Sequence, residues 1–442
     1  MVSTRSSTRL APKPVLPLDV CGIIIDILAS SKLDPGLISV KKCSLVSQSF
    51  LPLCRKHIFA TITIDNPLGA LEPSYSDSDE GPHHVLEEFM QLIKHTPAIG
   101  NYIRHLELCF EEGDELDDFP RTMQCLTRLE SLAISQFNES LEWRNLKWPV
   151  RNALLRLMHL PTLTALTLRF IDGFLVTDLV HGINLRHLTL KSTTFFEDSA
   201  DEPPTATILP AKSVQLQELI VQSNTGGIER IANARRSDGL PVIDPTQLTT
   251  VSVMCNCVDD MVALRTFLKQ SEQLIKIDLT GGTSFSFLEF FFNIISVPSD
   301  LTFVGFGDMI APHIRALKIV DLSTSVYNNH VDPLGGLPGE LAKMAGENAL
   351  ERLTIIVDFR GRSGKSGAEW GMLDTVLTSS GWPALKAVFL TIHFFKRSGS
   401  DALVGSFRKL KKAQFPRLSA SKSVNFKFRL TCMYKSLKSQ NT

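Results

Sequence analysis

The sequence is short of the features that most often announce a function. It has no excess of either charge: 46 Lys and Arg stand against 46 Asp and Glu, so nothing draws the whole chain toward nucleic acid or an anionic membrane. It has no apolar run of membrane-spanning length; the best stretch, 285–297, is too short and holds Glu289 and Asn293. No secretory signal precedes its eight cysteines, which are scattered and mostly sit in apolar runs. Reduced thiols in a cytoplasmic or nuclear setting are therefore expected. Cys255 and Cys257 form the single close pair, and no second pair or His doublet stands at zinc spacing. The GxSxG, HExxH and HxE…CxxC patterns are absent. The stretch 361–366, GRSGKS, ends as a phosphate loop does, but Phe359 stands where that loop needs its first glycine. The eleven histidines are dispersed, and His83, His84 and His95 lie beside Pro-bearing turns without an acidic or Cys partner. Neither catalysis nor a cofactor or metal is expected.

What is present is a folded composition, 43% apolar and 21% charged over 442 residues. That length has room for two or three domains, or for one small domain and a repeat array. The charge is unevenly placed. From Lys396 onward twelve Lys or Arg meet the single acid Asp401, so this segment carries +11 and the rest of the chain −11. Residues 1–14, rich in Ser, Thr and Arg, read as a disordered tail, and 65–83, with its SDSDE run and prolines, as a polar loop.

Between these, 15–60 has a helical period. Pro17 at a first-turn position and Asp19 suit a helix start, and Val20, Ile24, Ile27 and Leu28 recur on one face. Asp34-Pro35 opens a second helix with Val40, Cys43, Val46 and Phe50 as its stripe, and 52–58 predicts a third. Leu16, Ile23, Ile25, Leu45 and Leu53 fall outside these stripes, and a three-helix core of this size is marginal alone, so the block calls for a partner surface. An ordinary helical cap on a larger domain is the alternative.

After Val85–His95, an amphipathic helix, one pattern recurs: apolar-x-x-apolar-x-apolar. It runs from Ile103/Leu106/Leu108 through Leu129/Leu132/Ile134, Leu163/Leu166/Leu168, Leu185/Leu188/Leu190 and Leu216/Leu219/Val221. It continues as Leu248/Val251/Val253, Leu274/Ile277/Leu279, Ile314/Leu317/Ile319, Leu350/Leu353/Ile355 and Leu385/Val388/Leu390, at spacings of 22 to 40 residues. Leu301/Val304/Phe306 is a further match. The last two apolar positions lie two apart, on one side of a strand, and helical segments such as 150–160, 258–270 and 369–379 separate the units. A doubly wound α/β domain also alternates strand and helix, but here no Gly-rich loop follows the first strand. Val424, Phe426, Phe428 and Leu430 alternate with Asn425, Lys427 and Arg429, a terminal strand with a solvated outer side.

The residues of the first block, LPLD, an Ile-rich helix and CSLVSQSFLPLCRKHIF, resemble the F-box motif in the form found in large fungal (basidiomycete-type) families. Phe50 stands where many F-boxes have Trp, and Asp19 where many have Glu. The units that follow resemble the irregular leucine-rich repeats of F-box proteins, although Ile171, Thr193 and Gly282 occupy places where the repeat has Asn; Asn224 and Asn256 fit. The expected fold is α/β: a three-helix F-box-like domain at 15–60, a leucine-rich-repeat-like solenoid at 61–430, and a disordered tail at 431–442. The resemblance implies a non-catalytic, substrate-recruiting subunit of a Skp–cullin–F-box type ubiquitin ligase. Leu16, Pro17, Ile25 and Leu45 would meet the Skp-family adaptor and, through it, cullin. Val20, Ile24, Leu28, Val46 and Phe50 would hold the helices together, and the repeat face would hold a protein substrate. The alternative is an orphan repeat scaffold, or a nucleic-acid-associated protein using the basic C-terminal segment, whose Lys409–Lys412 run otherwise reads as a solvated helix face.

Overall fold

The computed structural model describes residues 17–30, 35–64, 84–110, 116–136, 140–196, 209–222, 226–255, 257–281, 303, 305–326, 332–359, 367–395 and 401–433. The chain is mixed α/β and divides into two compact units, one of 1–107 with 115–130, the other of 108–114 with 131–442. The polar loop 65–83 and the tail 1–14 lie outside the described residues, as does Leu16.

In the first unit, helices α1 (Leu18–Ser30), α2 (Pro35–Ser44) and α3 (Leu51–Ile58) lead into the strand β1 (Thr61–Ile64). Ile25, Val40 and Cys54 form the centre of their core, with Leu28, Ala29, Cys43, Phe50, Leu53 and Ile58 packed against it. The inward face of α1 is therefore Cys21, Ile25 and Leu28, four and three residues apart, and not the face expected. Ile25, expected at the surface, is 2% exposed; Val20 and Ile24, expected inside, are exposed. Apolar residues surround most of α1, so its period alone does not choose a face. Packing against α2 and α3 does, since Ile25 shares its core with Val40 and Cys54; at the surface beside it Asp26 Oδ1 lies 2.6 Å from Lys56 Nζ and 2.7 Å from His57 Nε2, both on α3. Both contacts hold the Asp26 carboxyl below its ordinary range, the Lys56 hydrogen bond first and the His57 one second. Val46 is corrected too. The helix α2 ends at Ser44, and Val46 sits in the following turn, 72% exposed, so the helical step from Cys43 no longer applies to it.

Further along the same unit, α4 (His84–His95) buries Leu86, Phe89, Met90 and Ile93, while Val85 and Leu92 are exposed. Lys94 pairs with Asp118 at 2.6 Å, tying α4 to the segment that precedes the helix Phe119–Gln124.

The second unit is built on a large parallel sheet. Its strands are Ser131–Gln136, Ala165–Arg169, His187–Lys191, Glu218–Gln222, Thr250–Cys255, Lys276–Gly281, Ile319–Val326, Arg352–Phe359, Ala387–Phe395 and Asn425–Met433. Each pairs in parallel with the next in the chain, and the order never reverses as a doubly wound sheet would. Parallel neighbours require a crossover, and helices such as Trp148–Met158, Val258–Leu268, Leu337–Met344 and Glu369–Leu377 supply it.

Register turns the repeated pattern into two apolar rows. Leu132, Leu166, Leu188, Leu219, Val251, Ile277, Val320, Leu353 and Val388 align across the strands, each at most 1% exposed. The row from Ile134 to Leu390 is the second. Pairing also corrects one unit: Ile277 and Leu279 face Val320 and Leu322, so the unit is Leu317/Val320/Leu322, three residues later than expected. Two overlapping matches share Leu317, and only the neighbouring strand distinguishes them; Ile314 lies in a turn and is half-buried. Phe306 opens the helix Phe306–Ile310, while Leu301 and Val304 lie outside the described residues.

Two polar details fix the crossovers. Thr193 is buried, and its hydroxyl donates to the carbonyls of Leu168 and Lys191 at 3.3 and 3.2 Å. The Asp374 carboxylate, on the helix Glu369–Leu377, accepts the backbone N–H groups of Arg417 and Leu418 at 3.0 and 2.8 Å, holding the start of the helix Pro416–Ala420.

Candidate functional site

Two surfaces present chemistry that the folding of each unit leaves unused. The first lies on the N-terminal helices. With Cys21, Ile25 and Leu28 turned inward, the remainder of α1 offers Leu18, Val20, Ile23, Ile24 and Ile27 to solvent. Leu37 and Ile38 on α2, and Leu45 and Val46 in the turn after it, do the same. These nine are nearly half of the nineteen exposed large apolar side chains among the described residues, within 29 positions of the chain. Scattered exposed apolar residues are ordinary on a protein surface; here nine of them fall in one short stretch of the chain. Of the residues expected to face the adaptor, Pro17 and Leu45 are exposed, Leu45 at 86%, and Ile25 is buried. Of those expected in the core, Leu28 and Phe50 pack there, and Val20, Ile24 and Val46 join the exposed face.

The second surface is the side of the parallel sheet opposite the apolar rows. One row of it runs Ala133, Thr167, Thr189, Ile220, Ser252, Asp278, Asp321, Thr354, Phe389 and Lys427 in register, with neighbouring strands about 4.8 Å apart. Asp278 and Asp321 are adjacent. Asp321 lies 3.5 Å from Lys276 and 3.6 Å from Arg352, while Ser252 donates to Asp278 at 3.1 Å. Burial, and secondarily the Asp321 charge, push the Asp278 carboxyl above its ordinary range, against the Ser252 bond. Further toward the strand ends, His393 Nδ1 meets Asp358 at 2.9 Å. The row is mixed, with Ala133, Ile220 and Phe389 among its polar and charged members.

Cys257 caps the helix Val258–Leu268, where the Asp260 carboxylate accepts its backbone N–H at 3.3 Å. Burial raises the Cys255 thiol to about 12, the pKa of an inert core cysteine. All eight cysteines are free thiols, and among the described residues no group of three His, Cys, Asp or Glu is placed to hold a metal ion. Residues 361–366 lie outside the described residues, while Phe359, in place of the loop's glycine, ends a strand and is buried. On the helix Asp401–Gln414, Arg408, Lys409, Lys411 and Lys412 are exposed, and Phe407 and Leu410 are buried. No helix among the described residues is long and apolar enough to cross a membrane.

Sequence reasoning missed the polar face of the sheet as a set. Its signal was available: these are the positions between the apolar ones in each unit, and register alone brings Asp278 to Asp321 and Asp358 to His393. Compared with known proteins, the chain matches no family model, and no curated sequence is significantly similar to it.

Proposed function

We propose that this chain is the substrate-recruiting, F-box-like subunit of a Skp–cullin–F-box type ubiquitin ligase. The observation that carries this reading is the set of exposed apolar side chains on α1, α2 and the following turn, which a small three-helix core leaves uncovered. The F-box resemblance of the same residues supplies the occupant, a Skp-family adaptor. The second unit is read as an irregular leucine-rich-repeat solenoid. Strand order that follows the chain, apolar rows in register and the Thr193 hydroxyl bridging to the neighbouring strand support that reading. In this arrangement the chain performs no chemistry. It holds a target on the polar sheet face and raises its effective concentration beside a ligase that supplies the reaction.

The burial pattern decides which substitutions test it. Ile24→Asp and Val46→Asp alter exposed side chains, so the helices fold and adaptor binding falls by about tenfold or more. Val40→Asp puts an unpaired charge at a fully buried position and unfolds the block. The measurement is a pull-down against a fungal Skp-type adaptor, with circular dichroism as the folding control. Should the native chain fail to bind, or the folded Ile24→Asp variant bind undiminished, the ligase reading is lost and the orphan scaffold replaces it.

A further inference from the structure

Among the described residues, the parallel sheet of the second unit ends on Asn425–Met433, a strand of nine residues paired on one side, with Ala387–Phe395. Asn425 donates its backbone N–H to Lys386 on that paired side. Backbone groups of successive residues in a pleated strand point to opposite edges. Phe426, Phe428, Leu430 and Cys432 therefore turn their N–H and C=O groups to the open edge, where no described strand meets them. The end of the core is thinly covered as well: Phe426, Phe428 and Leu430 are half-buried, whereas their register partners Val388, Leu390 and Ile392 are at most 1% exposed.

The charged side chains of this strand, Lys427 and Arg429, are of one sign. Lys427 and Arg429 are exposed on the strand, and neither meets an acid among the described residues. Lys427 Nζ stands 5.5 Å from the Phe389 ring centroid, and Lys411 Nζ 6.0 Å from that of Phe426, so aromatic surface lies directly beneath the cations. Lys409, Lys412 and Lys422 are exposed nearby in the chain, within the segment that carries twelve basic residues and one acid.

We infer that this edge is a docking site for an extended acidic peptide of a partner protein, which adds to the sheet as its next strand. Backbone pairing supplies the attachment, as in other cases of strand addition, and carboxylates on alternate positions meet Lys427 and Arg429. A second copy of this chain is a poor occupant, since edge-to-edge pairing would set Lys427 and Arg429 against themselves. A nucleic acid would answer the charges but brings no regular ladder of amide donors and acceptors. The inference stands on the terminal strand alone and is independent of the adaptor reading.

The test uses the full chain and fluorescence anisotropy. The probe is a labelled ten-residue peptide of alternating glutamate and valine; a lysine–valine peptide and a ten-nucleotide oligouridine are the comparisons. The native chain should bind the acidic peptide and not the basic one, with weakening as salt rises. Lys427→Glu combined with Arg429→Glu should lower the affinity by about tenfold or more and admit the basic peptide. Cys432→Pro removes one outward N–H at an edge, where proline is tolerated, and should weaken the acidic peptide while leaving any oligouridine signal unchanged. No binding of the acidic peptide by the native chain would mean that the basic residues only guard the edge against aggregation, and overturns the inference. Tighter binding of oligouridine, or acidic-peptide binding untouched by Cys432→Pro in a folded variant, overturns it in favour of a charge-only surface. If Cys432→Pro does not fold, the exchange of peptide preference in the double charge reversal decides.

Discussion

At the scale of the residue, the alternation within each strand separates two neighbours with opposite fates. Leu188 is fully buried, aligned between Leu166 and Leu219, while Thr189 faces the open side between Thr167 and Ile220. Leu188→Ala deletes buried methyl groups in a packed interior and should lower stability by about 2–5 kcal/mol. Thr189→Ala should stay within about 0.5 kcal/mol. Urea midpoints that rank these two the other way would mean the strand is turned over. This orientation was legible beforehand because a strand's period is two, and the two apolar positions of the unit leave one choice of face. For Ile24 and Ile25 the local rule failed. Both are equally apolar, and their positions depend on the core that Ile25 shares with Val40 and Cys54 further along the chain.

At the scale of the element, helices were found where helical spacing predicted them, but what anchors them was not visible. The Asp374 carboxylate is 3% exposed and is held by two amides of a helix over 40 residues further on. It satisfies donors at a helix start that would otherwise be buried without partners. Asp374→Ala should therefore cost about 1–3 kcal/mol. Amide exchange at Arg417 and Leu418 should accelerate, and Asp374→Asn should restore part of the protection. Unchanged exchange at those two amides would show that the helix Pro416–Ala420 is held by Leu418 packing alone. The end of α2 at Ser44 belongs to the same lesson. Nothing in 40–50 stops a helical reading at that point, and the stop moves Val46 from the interior to the surface.

At the scale of the whole molecule, the strands of the second unit's large sheet follow one another in chain order, and among the described residues the last of them is flanked on one side; if stability accumulates between neighbours, that end opens first. Hydrogen exchange should follow that gradient. Amides of Asn425–Met433 should exchange faster than those of Arg352–Phe359, which are flanked on both sides. Equal protection across the two strands would indicate a single cooperative block in place of stacked units.

The sequence by itself determined the mixed α/β class, the repeated strand pattern and the apolar side of nearly every strand, because these follow from periods of two and 3.6 acting over a few residues. Only the tertiary structure decided which side of α1 is buried, which of two overlapping matches forms the Leu317/Val320/Leu322 unit, and which acids and bases become neighbours on the open sheet face. Each of those outcomes is set by a partner far along the chain: α3 for α1, Ile277 and Leu279 for Val320 and Leu322, and strand register for Asp278 with Asp321. A local pattern can restrict such choices, but contact energy between remote segments makes them.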